Sequence, residues 1–411
     1  MIIGEYASKQ TFGSISVRSR GFVNVFVAKL DVNGKFLWVT SMGNTKHNTR
    51  DQATGVAVSP SGDIYALGAF DSKGIYGSTT LTPKGSQDIF VAKLDTNGKF
   101  LWVKQAGGVD SIYPRDIHAD SLGHIVLLGL YQKDISFGTH TLKGTTQSLG
   151  FVTKMDSKGA FLWAKQIVGK RSFTTEALAT GTKGEIHIIG SFNNQMTFGS
   201  TTLTQKSTQG MYIAKLDANG KHLWAKGATR IGTGSSRGVD IAVDKYDNIY
   251  ATGTYYQGIQ FSDKVSLKSV GFSDVFVIKL NKDGLKIWST SSRGKGSEGG
   301  IALSTTPDGN TYVFGSFVGE ALLGQTKYQV PTKTALFFIS KLSYNGHFEW
   351  SQRLALSNNG RKGQAVGITT DPQGNYYATG SFPYSATFGS RASISLSSKI
   401  SGDLFVLKNI R

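Results

Sequence analysis

Two places in the chain set a carboxylate beside a guanidinium. In "SIYPRD" Arg115 precedes Asp116, and in "SSRGVD" Arg237 stands three residues before Asp240. An arginine forks two hydrogen bonds onto a carboxylate, sulfate or phosphate, and a neighbouring acid orients that fork or takes a ligand hydroxyl. As local ion pairs the same residues would contribute little. Arg171, Arg230, Arg293 and Arg361 occupy comparable connections. Together with the two acid–base pairs they form the candidate ligand-binding set.

Other chemistry finds less support. There is no cysteine, which excludes disulfides, thiolate metal sites and cysteine nucleophiles. The seven histidines (His47, His118, His124, His140, His187, His222 and His347) are scattered, with no metal-ligand or triad spacing. Many turns begin with Asp, but each offers one or two carboxylates with lysine close by, as in Asp95 and Lys99. A calcium loop needs several oxygens converging. Asp heading a turn and accepting its amides is the simpler reading, even for "DKYDN" at 244–248. No catalytic residues, metal or cofactor are expected.

The elements that carry these residues are repeated. The six tryptophans, Trp38, Trp102, Trp163, Trp224, Trp288 and Trp350, are spaced by 64, 61, 61, 64 and 62 residues. A second marker, Gly4, Gly68, Gly129, Gly190, Gly253, Gly315 and Gly380, keeps the same register. A fixed period of this length signals stacked supersecondary units. Each unit reads as four short strands: a ("GVAVS"), b ("DIYALGAF"), c ("DIFVAKL") and d ("KFLWVKQ"). Gly-containing turns join a to b and c to d, and a small extra ribbon sits between b and c. No helical periodicity occurs. Four antiparallel strands repeated about seven times make a β-propeller. The expectation is one all-β domain over residues 1–411 with seven blades, the first lacking strand a and the last lacking strand d. A segment of a longer repeat array is the alternative.

Across a three-residue c–d loop the expected pairs are Leu30 with Phe36, Lys29 with Leu37 and Ala28 with Trp38. Small then faces large, and each Trp is a wedge between blades. The matching lysines, among them Lys29, Lys93, Lys154, Lys215, Lys279, Lys341 and Lys408, are expected to lay their stems over the facing Leu or Ile and turn outward. Lys341 is expected to pair with Glu349. A ring of lysines binding an anion is the other reading.

The repeat resembles a seven-bladed β-propeller family of bacterial secreted and surface proteins, in "DIFVAKLDTNGKFLWVKQAGG" and "GITTDPQGNYYATGSF". The resemblance covers essentially the whole chain. It implies an extracellular or cell-surface location and a non-catalytic binding or adhesion role. "LDTNGKFLW" is also similar to the tryptophan docking motif of pyrroloquinoline-quinone propellers. The turn is one residue shorter, however, and the vicinal disulfide of those enzymes has no cysteines to form it.

The start of the chain, "MIIGEYASKQTFGS", reads as no signal peptide, and no apolar run is long enough for a membrane span. The net charge is +18. Sorted by topology, the d–a and b–c connections carry about +14 and the opposite turns about −4. The expected partner is therefore anionic: an acidic polysaccharide, a lipid head group or an acidic protein. Nucleic acid fits less well, because the aromatics recur at strand positions and do not interleave with the bases. A purely structural repeat and a propeller hydrolase or lyase are the alternatives.

Overall fold

The computed structural model describes residues 1–46, 48–170, 172–262, 265–331, 335–355, 364–388 and 394–408. Among the described residues strands dominate and no helix occurs. The chain, read from its sequence as one domain, divides into two compact units. One is Met1–Ile186 with Gln195–Thr202 and Lys215–Trp224; the other is His187–Asn194 and Leu203–Ala214 with Ala225–Arg411.

In the first unit the opening repeat supplies strands b, c and d as Ile2–Phe12, Ile15–Leu30 and Phe36–Asn44. Two complete repeats follow: Gln52–Val58, Ile64–Phe70, Asp88–Leu94 and Phe100–Gly108, then Ile112–Ala119, Ile125–Tyr131, Leu149–Met155 and Phe161–Gly169. The second unit holds two more, Ser235–Val243 to Lys286–Ser291 and Ser297–Thr305 to Phe348–Ala355. It ends with strands a, b and c as Gln364–Thr370, Tyr376–Phe388 and Ile394–Lys408. Within each complete repeat of the two units, a pairs b, b pairs c and c pairs d, all antiparallel. This four-stranded meander is the blade of a β-propeller, so the all-β, blade-built class read from the sequence is the one present.

The glycine marker has a steric cause. In strand b, Gly68 pairs with Phe90 of strand c, and a Cβ there would lie 2.5 Å from the Phe90 ring. Gly129 with Phe151, Gly253 with Phe276 and Gly315 with Phe338 repeat the arrangement. The ring lies across the backbone of the neighbouring strand, and only glycine leaves it room. These buried aromatics, with Val91, Leu127 and Ile89 in one unit and Val277, Val313 and Ile339 in the other, make the sheet cores. Burial of each such side chain stabilises the fold by about 1.5–3 kcal/mol.

The c–d register differs from the expectation. Leu30 does pair with Phe36, but a bulge follows, so Lys29 pairs with Trp38 and Ala28 with Val39. The same bulge recurs at Lys93 with Trp102, Lys154 with Trp163, Lys279 with Trp288 and Lys341 with Trp350. Lysine and tryptophan therefore point the same way, and most of the lysines turn inward. Lys93, Lys154, Lys215 and Lys279 are buried, which corrects the outward placement. Lys341 does pair with Glu349, at 2.8 Å.

The inward lysines and the tryptophans grip the next repeat. Lys29 Nζ and Trp38 Nε1 both donate to the Thr96 carbonyl, at 3.3 and 3.1 Å. Lys93 Nζ and Trp102 Nε1 donate to that of Ser157, at 3.1 and 3.2 Å. Lys154 donates to Ala218 O, and Trp288 to Tyr344 O. Each acceptor is the second residue of a c–d turn. The rings of Trp38, Trp102, Trp163 and Trp288 cover the turn glycine of the next repeat, so these four are the inter-repeat wedges expected, though only half-buried. The leading Asp holds the turn: Asp95 Oδ1 accepts from the amides of Asn97 and Lys99, both at 2.9 Å. The a–b turn "DKYDN" works alike. Asp244 accepts from the Tyr246 and Asn248 amides, the Asn248 side chain and the Tyr250 hydroxyl.

The ribbon between b and c is a hairpin, for example Gly74–Tyr76 with Thr79–Leu81. It also pairs with the end of the preceding strand d, Gly43 with Ile75 and Asn44 with Gly74. Ile135 with Gly108 in the first unit, and Gln260 with Thr229 in the second, repeat this. The far end of each outer strand is thereby covered, which removes part of an open sheet edge.

Candidate ligand face

Strand a enters each blade through a β-bulge, and this bulge sets the candidate residues. Register shifts fall between Ala53 and Gly55, Pro114 and Asp116, Gly238 and Asp240, Gly300 and Ala302, and Ala365 and Gly367. Arg115 is itself the bulged residue, and its side chain is exposed. The position after the bulge is Gly, Asp or Ala by repeat, and Asp116 and Asp240 fill it.

Both acids are engaged by backbone. Asp116 accepts from the Ile117 amide and, through Oδ2, from the Leu178 amide, each at 2.8 Å. Asp240 accepts from the Ile241 amide at 2.8 Å and the Leu303 amide at 2.6 Å. Each carboxylate thus ties its strand a to the strand a of the next repeat. Burial pushes Asp116 up to about 7 against the opposing pull of those two amides. Asp116 and Asp240, expected to orient Arg115 and Arg237 or to take a ligand hydroxyl, are thus carboxylates fixed in place by backbone amides.

The arginines lie where the topology put them. Arg115, Arg237 and Arg293 are exposed and Arg230 half-exposed, all in d–a connections or at the strand a entrance. Arg230 belongs to the two-residue pairing with the ribbon at Ile259. The Arg293 amide donates to Leu322 O at 2.8 Å. Arg171 and Arg361 lie outside the described residues. Arg115 is in the first unit, and Arg230, Arg237 and Arg293 are in the second.

Beneath the loops are buried polar clasps that sequence reasoning missed. They join the first residue of a strand c core to the approach of the next strand a. In the first unit Asn24 Nδ2 donates to Asp51 Oδ2 at 3.2 Å, and the Asn44 amide donates to the same oxygen at 2.5 Å. Burial raises Asp51 to about 6, opposed by these hydrogen bonds. In the second unit the corresponding residues are Asp274 and Glu298, both buried. Ser292 Oγ donates to Glu298 Oε2 at 3.2 Å, and the Val270 amide to Asp274 Oδ2 at 3.0 Å. Burial first, and the facing Asp274 second, raise Glu298 well above the usual carboxylate range. The partners are 24 to 27 residues apart, so no local motif marks them; aligning strand c starts across repeats would have found the position.

Lys279 is a second unanticipated group. It is buried, its Nζ lies 3.1 Å from the Tyr344 ring centroid, and Asp244 is 4.0 Å away. Burial lowers it to about 8, against the pull of Asp244.

No family model matches the chain. An uncharacterized WD repeat-containing protein of Acanthamoeba polyphaga mimivirus is 24% identical over 304 residues, which is 59% of this chain and 22% of that protein. The chain therefore spans about a fifth of that relative's length. Among solved structures, the Neurospora crassa Pan2 WD40 domain has a TM-score of 0.39 at 11% identity, covering 85% of this chain and 90% of its own. A Synechocystis apocarotenoid oxygenase has a TM-score of 0.46 at 10% identity, covering 98% and 91%. A virginiamycin B lyase from Staphylococcus aureus has 0.37 at 10%, covering 84% and 94%.

Proposed function

We propose that this chain is a non-catalytic binding domain whose d–a and b–c loop face engages an anionic partner. The observation that carries the reading is the sorting of charge. The d–a and b–c connections carry about +14 against about −4 on the opposite turns, and Arg115, Arg237 and Arg293 stand exposed there. Exposed guanidiniums on a basic face attract an anionic polymer or surface and grip its carboxylates, sulfates or phosphates bidentately.

The test is retention on heparin and on anionic vesicles at low and high salt, with Arg115, Arg230, Arg237 and Arg293 changed to Glu in pairs. Binding should fall steeply with salt, because screening acts over about 8–10 Å near physiological ionic strength. It should weaken with each reversed pair. Binding that survives the reversals undiminished, or that never appears, leaves the basic face as a solvated surface.

A further inference from the structure

The clasp of the second unit sets an acid against an acid. Asp274 opens strand c and Glu298 lies near the start of the next strand a, and they are 0% and 1% exposed. One oxygen of each is engaged. The Val270 amide donates to Asp274 Oδ2 at 3.0 Å, and Ser292 Oγ donates to Glu298 Oε2 at 3.2 Å. Asp274 Oδ1 and Glu298 Oε1 have no hydrogen-bond partner among the described residues. The two carboxyls are nonetheless within hydrogen-bond reach of each other. Buried polar atoms are almost always satisfied, so two unpartnered oxygens in one clasp point to a ligand.

The first unit shows how the same clasp closes on its own. Asn24 stands where Asp274 does, and its Nδ2 donates to Asp51 Oδ2. The Asn44 amide adds a second donor to that oxygen. With Asp274 in place of the asparagine, that side-chain donor is gone. Gly294 follows Trp288 by the six residues that separate Asn44 from Trp38. A Cβ on Gly294 would run into both Glu298 Oε1 and the Glu320 carbonyl oxygen, so these two oxygens border the room glycine leaves. The Glu320 carbonyl accepts from the Gly296 amide at 2.9 Å and keeps a second lone pair. Arg293 and Lys295 of this connection are exposed, and neither supplies a donor to the two carboxyl oxygens.

We propose that Asp274 and Glu298 hold a calcium ion between Asp274 Oδ1 and Glu298 Oε1, with the Glu320 carbonyl as a neutral donor. Two carboxylates balance the charge of a divalent ion. No group of three acids or histidines that could hold a metal occurs among the described residues, so the rest of the shell is neutral oxygen. Calcium accepts such irregular oxygen shells, whereas magnesium demands a near-octahedral set and sheds its waters reluctantly. The ion takes the place of the Asn24 N–H and ties strand c to the next strand a.

The experiment uses the full chain at mildly alkaline pH, where protons compete less for the carboxylates. Calcium chloride should raise the melting temperature and a chelator should reverse the rise, because an ion bound only by the folded chain stabilises it. Asp274→Asn copies Asn24, and Glu298→Gln supplies a donor from the other side. Each should keep or raise the metal-free melting temperature and lose the calcium response. Terbium in place of calcium gives a second readout. The Tyr255 hydroxyl lies 3.5 Å from Asp274 Oδ2, so this ring should sensitise terbium luminescence. Tyr255→Phe should dim that emission several-fold while the calcium response persists. A calcium response absent from the unaltered chain, or one that survives in both carboxamide variants, overturns the site. Terbium emission unchanged in Tyr255→Phe does the same, and an equal response to magnesium overturns the assignment to calcium. Should the carboxamide variants fail to fold, the terbium comparison decides.

Discussion

Asp240 accepts a hydrogen bond from the amide of Leu303, 63 residues further along the chain, at 2.6 Å. Asp116 does the same for Leu178. Each of these acids, which sequence reading placed in a binding site, thus also fastens successive inner strands. Asp116→Ala should cost about 1–3 kcal/mol, the penalty of leaving a buried amide without its acceptor. Asp116→Asn, which keeps an acceptor oxygen, should cost less. Thermal and denaturant melts measure both, and heparin retention should not change in either variant.

Gly34 and Gly98 give a matched pair. Both hold a positive φ, +82 and +79, in equivalent c–d turns. A Cβ on Gly34 meets nothing within 4 Å, whereas one on Gly98 would lie 2.6 Å from the Trp38 ring. Gly34→Ala should cost about 1 kcal/mol for the left-handed backbone alone. Gly98→Ala should cost at least about 1 kcal/mol more, because the ring must move. Equal losses in the two melts would mean that the tryptophan contact is slack.

Lys154 and Lys29 occupy one repeat position in different surroundings. Lys154 sits 2.8 Å from the fully buried Asp120, which also faces His124 at 3.1 Å. Burial pushes Asp120 up, but the Lys154 ammonium and the His124 contacts outweigh it, so its carboxyl stays below the usual range. Lys154→Met should cost about 3 kcal/mol by stranding that carboxylate. Lys29→Met, which loses one bond to a carbonyl, should cost about 1 kcal/mol. The difference between the two chemical denaturation midpoints is the readout.

Acidification should tighten the fold between pH 7.5 and 5. Asp51 is raised to about 6 and Asp116 to about 7 by burial, and Glu298 is raised as well. A carboxyl raised on folding contributes stability that is complete below its unfolded value near 4 and is lost as pH climbs through the folded value. The lowered carboxyls, Asp120 and Asp371, act in the opposite sense only below about pH 4; burial also lowers His118 and His222, and these two imidazoles oppose the three raised carboxyls below about pH 6.5. The melting temperature should therefore rise as pH drops through this window. Asp51→Asn and Asp116→Asn together should flatten the slope, and a slope of unchanged steepness would place the titration elsewhere.

Much of the architecture could be read from the chain because it is carried by repetition. Tryptophan spacing marked the strands, and Gly68 beside Phe90 shows why the glycine marker never drifts. The lysine orientation could not be read, since a one-residue bulge between Lys29 and Leu30 leaves no trace in composition yet turns a side chain to the opposite face. The clasps escaped for another reason. Asn24 with Asp51 and Asp274 with Glu298 come from different strands, and the same place elsewhere holds Leu149 and Phe173. Only the folded chain brings such positions together.

The lysine–tryptophan grip has a bearing on how the molecule forms. Lys29, Trp38, Lys93, Trp102, Lys154 and Trp288 each wait for a carbonyl about one period downstream, as Trp102 waits for Ser157. A single excised repeat would leave its indole N–H and its lysine facing water, with its turn glycine uncovered. Stability in such an array comes from interfaces between nearest neighbours more than from any one unit. Folding should then begin with a pair of adjacent repeats and spread from it, each new blade completing the hold on the one before.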